Sequence, residues 1–87
     1  MSIRVELTYD MGKALGMSKF EVESAATVSE VIEETRKRFP GGGDQFAILA
    51  KVAAVAVNGV LVKHKQGMKT KLSDGDRVGF VKAAAGG

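Results

Sequence analysis

Residues 27–39 read as an amphipathic helix whose two ends are written into the sequence, and the rest of this 87-residue chain must be arranged around it. Thr27 followed three residues later by Glu30 is a capping box: the hydroxyl accepts from the Glu30 amide while the carboxylate reaches back. Val28, Val31, Ile32, Thr35 and Phe39 recur at helical spacing and define one apolar face. Glu30, Glu33 and Glu34 stand in the early turns and Arg36, Lys37 and Arg38 in the last, the order that the helix dipole favours. Glu33 with Lys37 and Glu34 with Arg38 are four apart, pairs worth about 0.2–0.5 kcal/mol each. The basic triplet thus has a structural explanation and is discounted as a binding site. Pro40 and Gly41-Gly42-Gly43 stop the helix.

On either side of this helix the periodicity changes from helical to alternating. Ile3, Val5, Leu7 and Tyr9 point one way and Arg4, Glu6 and Thr8 the other, a half-buried strand. Residues 10–16, with two glycines, read as a connecting loop. Lys19-Phe20-Glu21-Val22-Glu23 then alternates again, and the two runs predict a β-hairpin. Beyond the helix the three glycines lack the Gly-Lys-Ser/Thr of a phosphate loop and read as a flexible connector. A short second helix is expected over residues 44–51, with Phe46 and Leu49 at turn spacing. Residues 53–57 and 60–62 are apolar, β-branched runs around Asn58-Gly59, the strongest local signal for a hairpin, and both runs are expected to be buried on at least one face. Residues 63–71 read as a polar loop containing the sole histidine, His64, taken as a solvated loop residue. After a turn at residues 72–76, Arg77 to Lys82 forms the last strand, with Val78 and Phe80 facing one way and Arg77, Gly79 and Val81 the other. Two hairpins served by one helix face require a mixed sheet of four to five strands wrapped on one main helix, the first and last strands parallel at its centre. The fold class is α+β.

A chain of this length makes one small domain of modest stability, roughly 4–13 kcal/mol. Its core is too small to fill itself and enclose an active-site cavity, which favours a module that works by being bound. The absence of cysteine removes disulfide, zinc-thiolate and iron–sulfur readings, and no cluster of metal ligands stands out. Charges interrupt every apolar run, so neither a signal peptide nor a membrane span is expected, and the cytoplasm is the default location. The net charge of +3 comes from 13 basic and 10 acidic residues, and besides the triplet the bases gather at Lys63-His64-Lys65, Lys69 and Lys71. No aromatic residue is interleaved with them, as stacking on nucleic acid would require.

The last five residues, Ala83-Ala84-Ala85-Gly86-Gly87, are small and uncharged. Two glycines without Cβ atoms can lie extended in a slot too narrow for other side chains. Five extended residues reach about 16–18 Å, enough to carry a terminal carboxylate into a partner's buried site. The ordinary alternative is a frayed terminus. Val81, an apolar residue left outside the core where this tail begins, is a docking point for such a partner.

The order of elements, the Val57-Asn58-Gly59 turn, the stretch Thr70-Lys71-Leu72-Ser73-Asp74-Gly75-Asp76-Arg77-Val78-Gly79-Phe80 and the terminal Ala85-Gly86-Gly87 together resemble the MoaD/ThiS family of ubiquitin-like sulfur carriers. The resemblance covers nearly the whole chain. It implies a β-grasp (ubiquitin-like) domain over residues 1–82 and a flexible C-terminal tail over residues 83–87. It further implies that Gly87, preceded by Gly86, is the reacting residue. An adenylyltransferase of the ubiquitin-activating type would adenylate its carboxylate with ATP, and a sulfur donor of the cysteine desulfurase or rhodanese type would convert it to a thiocarboxylate. The sulfur would pass to an acceptor enzyme such as a molybdopterin synthase large subunit. Val81, Phe80 and Ala85 are the implied docking residues. On this resemblance the chain is a carrier or subunit rather than an enzyme, holding no permanent cofactor and contacting neither nucleic acid nor membrane. Many members of the molybdopterin branch carry a proline pair where this chain has alanines before Ala85. The acceptor is therefore open between a molybdopterin precursor, thiazole, an amino acid and tRNA, with the Asp74–Gly87 spacing resembling the molybdopterin branch best. A modifier ending on a substrate lysine, and an interaction domain with an idle tail, are the competing readings.

Overall fold

A computed structural model of the chain describes residues 2–62 and 68–82. Along the chain run β1 (Ile3–Glu6), α1 (Tyr9–Leu15), β2 (Lys19–Val22), α2 (Val28–Arg38), α3 (Gly43–Val52), β3 (Ala54–Val57), β4 (Val60–Leu61) and β5 (Arg77–Val81). The five strands form one sheet in the order β2-β1-β5-β3-β4. β1 and β5 are parallel, with Val5 opposite Val78, and the other pairs are antiparallel. This is the mixed sheet and α+β class that the periodicities predict, and the β-grasp architecture that the resemblance implies.

α2 forms as its ends dictate. The Thr27 hydroxyl accepts from the Glu30 amide at 3.2 Å, and the Glu30 carboxylate returns to that hydroxyl, which donates to Oε2 at 3.2 Å. Val28 and Val31 are fully buried, as is Thr35, whose hydroxyl donates to the Val31 carbonyl at 2.7 Å and so leaves no polar atom orphaned. The charged face pairs differently from the expected i,i+4 pattern. Arg36 pairs with Glu33 and reaches Asp44 at 3.5 Å, tying α2 to α3. Arg38 donates to the Glu21 carbonyl on the outer edge of β2 and lies over the rings of Phe20 and Phe39, at 5.5 and 5.6 Å. A guanidinium offered an unpaired edge carbonyl and two aromatic faces gains more than an exposed ion pair returns.

Three sequence expectations need correction. The first two strands are joined by helix α1 rather than a loop, and β1 ends at Glu6, so Tyr9 is 79% exposed instead of facing the core. Gly12 in the middle of seven residues makes α1 a poor helix by propensity. Its caps hold it: Thr8 Oγ1 accepts from the Met11 amide at 3.2 Å, and Gly16 closes it at φ +79°. Met11, fully buried, anchors it to the core. Second, the run of glycines is a contact point instead of a flexible connector. A Cβ on Gly42 would stand 2.0 Å from the Ala14 carbonyl oxygen, and one on Gly43 would stand 2.2 Å from that of Arg36. Only bare backbone lets α3 start wedged against both α1 and α2, and α3 then runs ten residues with Phe46 and Ala50 buried. Third, β4 is a two-residue edge strand with Val60 and Leu61 both about two-thirds exposed (68% and 65%), because no helix extends over it. The Asn58-Gly59 turn itself forms as read, with φ +52° and +83° at its two residues.

The core lies between the sheet and the helices. Ile3, Val5 and Val78 meet Val28, Val31 and Phe46, all with no exposed surface. Phe46 packs edge-on to Phe80 with ring centroids 5.5 Å apart, and Phe20 packs on Phe39 at 5.3 Å. His64 and its neighbours 63–67 lie outside the described residues; beyond them Lys71 bridges to Thr27 and Leu72 is buried.

The glycine wedge yields a direct test. Gly43→Ala is expected to cost at least about 1–3 kcal/mol in urea unfolding, because the clash is with backbone. Gly41→Ala, where a Cβ meets nothing within 4 Å, should shift the midpoint little in either direction.

Candidate functional site

β5 is the central strand, flanked by β1 on one side and β3 on the other, so the strand ends at Val81 in the middle of the sheet. Alternation along β5 sends Val78 and Phe80 into the core and Arg77, Gly79 and Val81 to the face that no helix covers. Val81 is 48% exposed and pairs with Ala54. Gly79 pairs with Ala56, which in turn pairs with Leu61. Small and apolar residues therefore continue from Val81 across β3 to β4. A Cβ on Gly79 would find only Glu6 Oε1, at 3.9 Å, so the strip is low and flat.

Of the docking residues named from the sequence, Val81 stands on this open face. Phe80 does not: it is 5% exposed and packed on Phe46, so it holds β5 in register from below. Ala85, Gly86 and Gly87 lie outside the described residues, and the site is traced to Lys82. Ala54, Ala56 and Leu61 were not singled out from the sequence. Their signal was present in the hairpin around Asn58-Gly59, whose register puts residues 54, 56 and 61 on the face of Val81.

The start of β5 is fixed by a polar network. Asp76 Oδ1 accepts from Asn58 Nδ2 at 3.0 Å, and its Oδ2 accepts from the Ser73 amide at 2.8 Å. The Asn58 side-chain oxygen accepts from the Arg77 amide at 2.9 Å. These bonds, the one from Asn58 first and that from Ser73 second, hold the Asp76 carboxyl below the usual carboxylate range. Across the sheet the Arg4 amide donates to the Asp76 carbonyl and the Gly75 amide to the Ser2 carbonyl, at 3.0 and 2.8 Å. The turn thereby ties the second hairpin to both central strands.

The cavity at the root of the tail, between Thr8, Met11, Leu49, Val52 and Lys82, is about 100 Å³. Small-molecule sites span roughly 300–1,000 Å³, so this cavity is too small for a nucleotide. Among the described residues no three His, Cys, Asp or Glu side chains gather as a metal site, and no helix is long and apolar enough to cross a membrane.

The ThiS family model matches residues 11–87. The chain belongs to the ThiS family. Its fold agrees with that of several solved structures. The Amycolatopsis orientalis BexX/CysO complex contains a chain 28% identical to this one, aligned over 98% of this chain and 99% of that one with a TM-score of 0.74. The small archaeal modifier protein 1 of Methanosarcina acetivorans shares the fold at 21% identity, covering 99% of this chain and 96% of that one, TM-score 0.77. So does a chain in the complex of subunits 1 and 2 of the molybdopterin-converting factor of Helicobacter pylori, at 21% identity over the full length of both, TM-score 0.68. No curated protein matches.

The Asp76 network makes the site's support pH-dependent. With its carboxyl acidified by folding, Asp76 contributes stability that is complete above the unfolded value of about 4 and is lost as pH falls through the lower folded value. Asp76→Ala should lower the urea midpoint at neutral pH and flatten the acid limb below about pH 4, a comparison that urea titrations of both proteins across pH will settle.

Proposed function

We propose that this protein is a sulfur carrier that acts through Gly87 while a partner does the chemistry. The observation that carries the reading is that β5, the strand preceding Gly86-Gly87 in the sequence, is the central strand of a ThiS-family fold and ends at Val81 in an apolar strip with Ala54, Ala56 and Leu61. A partner that settles on this open face also receives the tail. A ubiquitin-activating-type adenylyltransferase would hold ATP, and a Gly87 carboxylate oxygen would attack the α-phosphate, forming the acyl adenylate as pyrophosphate leaves. The persulfide of a cysteine desulfurase or rhodanese would then add through its terminal sulfur to the acyl carbon and expel AMP. A thiol would reduce the resulting acyl disulfide, releasing the thiocarboxylate and leaving the donor's sulfur in a disulfide with that thiol. A free carboxylate is a poor acyl donor, and adenylation converts its oxygen into a good leaving group. Catalytic power resides in the partner's positioning and phosphate-neutralising charges. Gly86 and Gly87 supply a backbone slim enough for the slot and the oxygen that reacts.

The reading implies a reducing, ATP-supplied compartment, the cytoplasm. For the acceptor we favour an enzyme of the molybdopterin type. The Asp74-Gly75-Asp76-Arg77-Val78 stretch with its terminal Ala85-Gly86-Gly87 supports this, as does the fold shared with a molybdopterin-converting factor subunit that is solved in complex with its partner. Conjugation to a substrate lysine would use the same adenylate. Immunoblots would show it as a ladder of heavier species.

Incubation with ATP, a cognate adenylyltransferase and a sulfur donor should add to the intact mass the difference between one sulfur and one oxygen, localised to Gly87. Deleting Gly86 and Gly87, or adding one residue after Gly87, should abolish the gain with the fold intact by circular dichroism. An unchanged mass for the full chain would sink the carrier reading. Val81→Asp is expected to weaken adenylyltransferase binding by roughly tenfold or more, with little change in melting temperature because the side chain is half exposed. Equal affinity would remove Val81 from the docking surface.

A further inference from the structure

The end of the open face farthest from the tail carries two like charges in direct opposition. Arg4 on β1 and Arg77 on β5 are partners in the parallel ladder, and both project from the uncovered face. Like charges across a ladder repel, and the neighbouring carboxylates are held by neutral donors instead of pairing with the arginines. Glu21, next along the row on β2, accepts from the Ser2 hydroxyl at 2.6 Å, and both oxygens of Asp76 are engaged with Asn58 and Ser73. Among the described residues neither guanidinium forms an ion pair or a side-chain hydrogen bond. One row on, by contrast, Glu6 faces Lys19. The two arginines diverge: Arg77 Nη2 lies 3.9 Å from where a Gly59 Cβ would stand, while Arg4 lines a shallow hollow with Glu6, Lys19 and Glu21 on the β2 side.

Size decides what must cover them. Arg77 is four residues from Val81, about 13 Å along the strand. A stable protein interface buries roughly 800 Å² on each partner, a patch on the order of 30 Å across. The domain itself measures 32 × 30 × 18 Å. A partner seated firmly on Val81 and its apolar neighbours therefore also covers the two arginines. Covering two guanidiniums that no ion pair holds is expensive, several kcal/mol per ion, so a partner that supplies anions there is favoured over one that does not.

We infer that Arg4 and Arg77 are specificity contacts of the open face and take a cluster of carboxylates on the protein that activates the tail. This rests on the carrier reading above and adds the chemistry by which the partner is chosen. A protein surface is favoured over nucleic acid because the arginines are continuous with an apolar strip and, among the described strand residues, no aromatic side chain stands on this face for bases to stack on. Charges at this distance from the tail act chiefly on encounter and discrimination, leaving the acyl transfer to the other end.

The test is stopped-flow association of the full chain with the adenylyltransferase, run beside a pyrophosphate-release assay of the same mixture. The double variant Arg4→Gln/Arg77→Gln should associate at least about tenfold more slowly at low salt, near 50 mM, with the gap closing near 0.3 M as screening takes over. Its melting temperature should be unchanged or higher, since a repulsive pair is relieved, which separates recognition from a structural role. Association and salt dependence equal to wild type, with pyrophosphate still released by both, would overturn the inference and leave the carrier reading standing. No release from the wild-type chain would remove the carrier reading and this inference with it. Retention of a labelled oligouridine by the wild-type chain, lost in the double variant, would assign the arginines to nucleic acid and overturn the inference by another route.

Discussion

Both termini of the domain are hydrogen-bonded side by side at the centre of one sheet, and the rest of the structure depends on that parallel pairing of β1 with β5. Arg4, Val5 and Glu6 meet Arg77, Val78 and Gly79 across more than seventy residues of chain. The contact orders the two ends of the backbone at a considerable entropic cost. It holds because Ile3, Val5 and Val78, on its covered face, are completely buried against α2 and α3. Each antiparallel pair then has a template, β2 on the outer side of β1 and β3 on the outer side of β5.

This arrangement divides the labour between the faces of β5. The inward residues Val78 and Phe80 keep the strand in register through Phe46 and the helix layer. The outward residues Arg77, Gly79 and Val81 are free of that duty. A tail rooted at an edge strand would share its exit with unpaired backbone groups and invite strand addition from other chains. Here the strand that precedes it is paired on both sides. The edges are managed separately, β4 by being two residues long and β2 by Arg38, which occupies the outward carbonyl of Glu21.

Rigidity beneath the tail comes from contacts that only glycine or a short polar side chain permits. Gly42 and Gly43 let three helices meet at bare backbone, and Asn58 bonds both the amide of Arg77 and the carboxylate of Asp76. A docking surface preorganised in this way loses little conformational entropy on binding, so more of the interface energy remains for holding a partner.

The sequence by itself determined α2, the Asn58-Gly59 hairpin, the alternation of β5 and hence the central mixed sheet, because each is set by local chemistry: a cap, a pair of positive-φ residues, a period of two. It also marked Val81 as outward and the family to which the chain belongs. Tertiary structure alone decided the rest. α1 exists because Met11 finds the core and Gly12 leaves room for the Met17 carbonyl, whose oxygen a Cβ there would approach to 3.1 Å, contacts that no propensity reports. Arg36 and Arg38 leave their expected partners because Asp44 and the Glu21 carbonyl are brought within reach from other elements. The juxtaposition of Arg4 with Arg77, and of Val81 with Ala54 and Leu61, follows from strand order and register. Those are set by which buried side chains pack together across long separations, and local spacing carries no record of them.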